Sequence, residues 1–223
     1  CSYCNASFST TWVKDIKTNG AYKLETKAGA QYGESPNWGQ KYSFDETNPY
    51  IEAFFKWWED DLYKTLDELR ISGGEPLMSG HTWKLLDWFK ENKNKSKTAF
   101  AINSNLGFDK DVIDRLIDSV DGIEFTLHTS NESMFSHAEY IRDGLKWDQW
   151  VENVLYLLES KNIKRVQIAS TINALCLESL PEFLDLLMSW KKTYGGHRVG
   201  ISLKDRKSTR LNSSHGYISY AVF

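Results

Sequence analysis

From Leu69 onward the chain repeats one pattern: five short, mostly apolar runs separated by four longer stretches whose apolar residues recur every three or four positions. Strand-length and helix-length periods that alternate this regularly predict parallel βαβ units, because each helix carries the chain back across the sheet before the next strand begins. A meander of hairpins is excluded on the same ground. The strands are predicted at 69–72, 98–103, 122–127, 165–171 and 198–203. The first helix, over 80–92, sets Trp83, Leu86 and Phe89 on one stripe with Leu85 beside it. The second starts near Asp109, a good N-cap, and buries Val112, Ile113, Leu116, Ile117 and Val120. The third, over 147–161, turns Trp150, Val151, Val154, Leu155 and Leu158 inward. The fourth, over 180–192, does the same with Leu180, Phe183, Leu184, Leu187 and Trp190.

A closed barrel of eight such units takes about 250 residues, so five visible strands make part of a barrel. In parallel barrels the chemistry gathers where strands end, because the loops there converge. The first visible strand ends in Ile71-Ser72-Gly73-Gly74-Glu75-Pro76 and the second in Ser104-Asn105-Leu106-Gly107. Far upstream of both, the chain opens on Cys1-Ser2-Tyr3-Cys4. Two cysteines at that spacing suit a zinc site, a redox dithiol or an iron–sulfur cluster.

The cysteine pair followed by the Gly-Gly-Glu-Pro turn resembles the radical S-adenosylmethionine (radical SAM) superfamily, and the likeness runs over about residues 1–203. Members carry Cys-x3-Cys-x-aromatic-Cys after their first barrel strand and Gly-Gly-Glu-Pro at the end of the second. The resemblance makes Cys1 and Cys4 the second and third cysteines, with Tyr3 the aromatic between them; the first cysteine and first strand are expected upstream of residue 1. It implies an α/β fold, a partial (β/α)6 TIM-like barrel over 1–204. It also implies a four-iron, four-sulfur (4Fe-4S) cluster held by three thiolates, with one iron left open for S-adenosylmethionine. Reductive cleavage of that cofactor yields methionine and a 5′-deoxyadenosyl radical, which abstracts hydrogen from a substrate.

Under that resemblance Gly73 and Gly74, lacking Cβ atoms, let backbone carbonyls approach the methionyl ammonium. Glu75 adds a negative acceptor, and Pro76 stiffens the exit from the strand. Ser104 and Asn105 stand where many relatives have a Thr-Asn-Gly-like strand end near the cofactor, with Leu106 here interposed before Gly107. In the strand at 122–127, Glu124, Thr126 and His128 alternate onto one face, and Thr126 is the preferred hydroxyl for the ribose or methionyl carboxylate. Ser170 and Asn173 end the following strand and are within reach of the same cavity. His128 and Cys176 are assigned to structure, Cys176 as a small apolar core residue.

Nine Trp, eleven Tyr and eleven Phe make the chain unusually aromatic, and part of that excess falls in an insertion at about 8–50. It carries Trp12, Tyr22, Tyr32, Trp38 and Tyr42 and suits a cap, a substrate shelf or an exterior packing loop. A helix is predicted to start at Asn48-Pro49 and run through Trp58. The stretch from Ser136 to Trp147 resembles the radical SAM proteins that carry a C-terminal twitch domain. Residues 205–223 break every earlier pattern and resemble a translated sequencing adapter, so they are set aside as a non-native tail. That tail carries +2 of the chain's net −3, which leaves a body of −5. An acidic body argues against nucleic acid held by bulk charge. No apolar run approaches the roughly 20 residues that span a bilayer, and few cysteines suit a reducing cytoplasm.

The resemblance further implies a reductant protein such as flavodoxin or ferredoxin and a substrate that is a peptide or another large molecule. Two other readings stay open: a zinc-binding or thiol redox module built on Cys1 and Cys4, and a degenerate barrel that binds a partner without catalysis.

Overall fold

The computed structural model describes residues 10–21, 48–93, 95–205 and 220–222. Helix α1 (Thr10–Asn19) stands apart from the rest in sequence, and α2 (Pro49–Trp57) begins where the sequence places it. Asn48 accepts the Tyr50 N–H at 2.9 Å, and Pro49 occupies the first turn, where its missing N–H costs nothing. The helix widens into a π-turn at Trp58–Leu62 and closes with α3 (Tyr63–Thr65). Strand β1 (Glu68–Gly73), a 3-10 turn at Pro76–Met78 and α4 (Gly80–Glu91) follow. Then come β2 (Ala99–Asn103), α5 (Lys110–Ser119), β3 (Phe125–Ser130), α6 (Phe135–Ile141), α7 (Trp147–Glu159), β4 (Arg165–Ile172), α8 (Leu180–Tyr194) and β5 (Val199–Asp205).

The five strands pair in parallel and in sequence order. That order has no reversal, so the sheet is wound in one direction, as in barrel-type folds, and lacks the switch point of a doubly wound sheet. A sixth strand, β6 (Tyr220–Val222), pairs in parallel with Ile71–Gly73 on the outer edge of β1.

The two faces of the sheet differ sharply. One holds Leu69, Ile71, Phe100, Ile102, Phe125, Leu127, Val166, Ile168 and Val199, all buried. Two aromatic groups cover it. Trp58 meets Trp88 and Phe89, and Phe89 stacks on Phe100. Trp150 contacts Trp147, Phe183 and Trp190. Much of the aromatic excess is therefore core, where each ring removes a large apolar area from water. The other face is polar, with Arg70, Asn103, Thr126, His128, Gln167, Ser202 and Lys204 set by the register on one side of the sheet.

Two local expectations are corrected. Strand β3 begins at Phe125, three residues later than predicted, because Gly122 takes φ +78° and the Ile123 N–H bonds back to Val120, so 122–124 complete the turn after α5. Asp109 precedes α5 without capping it through its side chain; one of its carboxylate oxygens instead lies 3.4 Å from the Gln149 amide that donates to it.

Candidate functional site

The end of β1 and the end of β2 are tied together by one side chain. Glu75 accepts the Leu77 N–H on Oε1 at 3.2 Å and the Asn105 N–H on Oε2 at 2.7 Å, and the Ser104 hydroxyl bonds to the same carboxyl group. Burial raises the Glu75 pKa, and the bonds from Asn105, Ser104 and Leu77 oppose that rise. Pro76 is buried behind it and starts the 3-10 turn. Glu75 therefore braces two loops with both carboxylate oxygens, a role beyond the acceptor expected of it.

The brace leaves the two glycines exposed at the strand end. Gly73 takes φ +150°, a conformation open to glycine and strained for other residues. A Cβ built on Gly74 would meet no described atom within 4 Å. Packing among the described residues thus gives no reason for glycine at 74; open space beside a bare backbone is what close approach of a ligand requires.

On the β2 side, Asn105 Oδ1 accepts the Gly107 N–H at 2.8 Å and closes a tight turn. The left-handed position inside it falls on Leu106, with φ +58° and no exposure. A non-glycine residue there costs about 1–2 kcal/mol, which burial of a leucine side chain, worth about 1.5–3 kcal/mol, offsets. Asn153 Nδ2 then donates to the carbonyls of Leu106 and Phe108, each at 2.9 Å, and fixes the loop from below. The departure from a Thr-Asn-Gly pattern is therefore accommodated by the core.

Gly73, Gly74, Glu75 and Pro76 are thus brought together with Ser104 and Asn105. Thr126 is placed elsewhere: it pairs with Ala101, which pairs with Arg70, three residues before Gly73 and so about 10 Å lower along the strands. His128 is one step nearer the strand ends, opposite Asn103. Glu124 lies before the ladder and is exposed. Ser170 is corrected outright: it is buried on the apolar side and donates to the Asn131 carbonyl at 2.7 Å, because it shares the parity of Val166 and Ile168. Asn173 closes its own turn, accepting the Leu175 N–H. The fully buried Cys176 thiol donates to the Asn173 carbonyl at 3.2 Å. Cys1, Tyr3 and Cys4, and most of the aromatic insertion, lie outside the described residues.

Arg165, Gln167 and Lys204, which share the face of His128, were not singled out from the sequence, although polar residues at every second position of β4 carry the signal. A groove lined by Phe89, Lys93, Thr98, Gly122 and Glu124 sits at the opposite, N-terminal ends of β2 and β3, where such sheets carry stability and not chemistry.

Burial, and then the charges of Arg70, Lys204 and Arg165, lower the His128 pKa from its usual 6.5 to about 4. Its folded-state value lies below its unfolded one, so stability from this group is present above pH 6.5 and is lost as pH falls toward 4. Urea midpoints should drop over that window more steeply in the wild type than in His128→Gln. Parallel pH profiles would show that His128 is not neutral in the fold.

A family model described as Radical SAM superfamily matches residues 1–188, a span that takes in Cys1, Cys4, the Gly-Gly-Glu-Pro turn and β1 to β4. No curated protein matches the chain.

Proposed function

Because the chain belongs to the radical SAM superfamily, we propose that it is an enzyme that begins its reaction by reductive cleavage of S-adenosylmethionine. The observation that carries this reading is the Glu75 brace: it holds an exposed, side-chain-free Gly73-Gly74 backbone beside Ser104 and Asn105. Cys1 and Cys4 would supply two thiolates to a 4Fe-4S cluster, with Tyr3 between them. When bound, the cluster and S-adenosylmethionine would supply a 5′-deoxyadenosyl radical that takes a hydrogen atom from the substrate.

The chain's own residues bind and orient. Carbonyls at Gly73 and Gly74 would accept from the methionyl ammonium, while Glu75 keeps that backbone in register with β2. Ser104 and Asn105 would line the nucleoside side, and Thr126, deeper on the polar face, would meet whatever extends down the sheet. Residues 1–204 would form the catalytic barrel, with 205–223 a non-native tail. The Ser136–Trp147 stretch resembles twitch-domain members, which favours a peptide or another large substrate. A flavodoxin or ferredoxin in the cytoplasm would deliver the electron. No helix among the described residues is long and apolar enough to cross a membrane.

A zinc or dithiol module would explain the cysteine spacing but would leave the Glu75 brace without a purpose. Anaerobic reconstitution with iron and sulfide, followed by S-adenosylmethionine and dithionite, should release 5′-deoxyadenosine. A cluster-loaded protein that forms none would defeat the proposal.

A further inference from the structure

The polar sheet face gathers positive charge. Arg70 on β1, Arg165 on β4 and Lys204 on β5 share the face of His128 on β3 by register, and the positive charge of all three disfavours protonation of its ring. Arg70 already pairs with Glu68 at 3.0 Å. Arg165 and Lys204 form no ion pair among the described residues. Nε2 of His128 is buried and has no hydrogen-bond partner among them either. A buried ring nitrogen left unpaired costs about 1–3 kcal/mol, and the surrounding positive charges keep the imidazole neutral.

The opposite wall is cut to fit this arrangement. A Cβ on buried Gly200 would overlap Gln167 Oε1 and stand 2.7 Å from Arg165 Nε. The bare backbone of β5 is what allows those two side chains to lie across the face. Arg165 pairs in register with Thr126, about 10 Å below Gly73 along the strands, whereas His128, opposite Asn103, sits just below the level of Gly73 and Lys204, opposite Thr171, lies beyond it, so the cluster runs up the polar face to the strand ends.

We propose that this face binds an anionic group of the substrate, a carboxylate or a phosphate, through Arg165, Lys204 and His128, with Arg70 beside them. An anionic oxygen there accepts from the guanidinium, the ammonium and the imidazole N–H, and so satisfies the orphaned nitrogen and the unopposed charge together. The identification of the anion as substrate rests on the radical SAM reading above; the binding itself does not.

The test therefore uses the cluster-free chain at pH 7 in low salt, titrated separately with inorganic phosphate and with succinate. At least one of the two should raise the unfolding midpoint saturably. The His128 ring resonances should move with the same midpoint while those of His81 and His197 stay fixed. Arg165→Gln and Lys204→Gln should each weaken binding at least tenfold, and the double variant should abolish it. A response to phosphate alone, or to succinate alone, identifies the class of anion. If both act no differently from sodium chloride, or if the variants keep full affinity, the inference fails. Release of 5′-deoxyadenosine by the reconstituted enzyme without anion binding would overturn this site alone; anion binding without 5′-deoxyadenosine would overturn the radical SAM reading alone.

Discussion

Glu132→Ala should lower the unfolding free energy by about 3–5 kcal/mol, the cost of breaking a buried ion pair by removing one partner. Glu132 is fully buried, and its Oε2 accepts from both Nε and a terminal nitrogen of Arg142, which is itself 12% exposed. The pair stands directly after β3, where the Asn131 side chain accepts the N–H groups of Glu132 and Ser133 and turns the chain toward α6. Ser133 and Ser179 share a hydroxyl–hydroxyl hydrogen bond, and Ser170 holds the Asn131 carbonyl from β4. Removing Glu132 takes the carboxylate away from a guanidinium that is only 12% exposed. Removing both, as in Glu132→Leu with Arg142→Met, takes away the buried charge as well and should recover most of the loss, because an apolar pair of similar volume needs no partner. Urea denaturation of the three variants checks this. A double variant no more stable than Glu132→Ala would mean that the cost lies in the surrounding hydrogen bonds and not in the ion pair.

How far such features could be read from the sequence depended on whether their cause was local. The start of α2 was legible because Asn48 and Pro49 act within one turn, and β1, β2, β4 and β5 were legible because their apolar residues alternate between turn residues. Strand β3 was placed three residues early because Ile123 is apolar and buried yet belongs to a turn; only the positive φ of Gly122 separates the two cases. The Glu132–Arg142 pair was invisible, since ten residues of loop and helix must fold before the charges meet. Arg165 and Lys204 read as residues of a solvated strand face, the usual meaning of polar residues at period two. For Glu75 the Gly-Gly-Glu-Pro motif marked the position and the likeness to a family implied a ligand-facing acceptor, but the partners Leu77 and Asn105 come from separate loops and appear only once the strands are paired.

Those partners make Glu75→Ala the change expected to damage function most. The substitution frees the N–H groups of Leu77 and Asn105; only Leu77 is buried, and at exposed Asn105 water can replace the lost acceptor. The cost in stability should therefore be modest, on the order of 1 kcal/mol. The cost in geometry is larger: the Gly73-Gly74 backbone is then free to shift relative to Ser104 and Asn105, and a misplacement of about 1 Å in a positioned group can cost on the order of a hundredfold in rate. The expected result is a near-native unfolding midpoint with 5′-deoxyadenosine release down by about that factor. Glu75→Gln should fall between the two, since its amide keeps one acceptor oxygen but turns an N–H2 toward the second backbone N–H. The ordering is what distinguishes the brace from a purely electrostatic role. If charge alone mattered, Gln would be as damaging as Ala, and measurement of all three enzymes at equal cluster loading would show it.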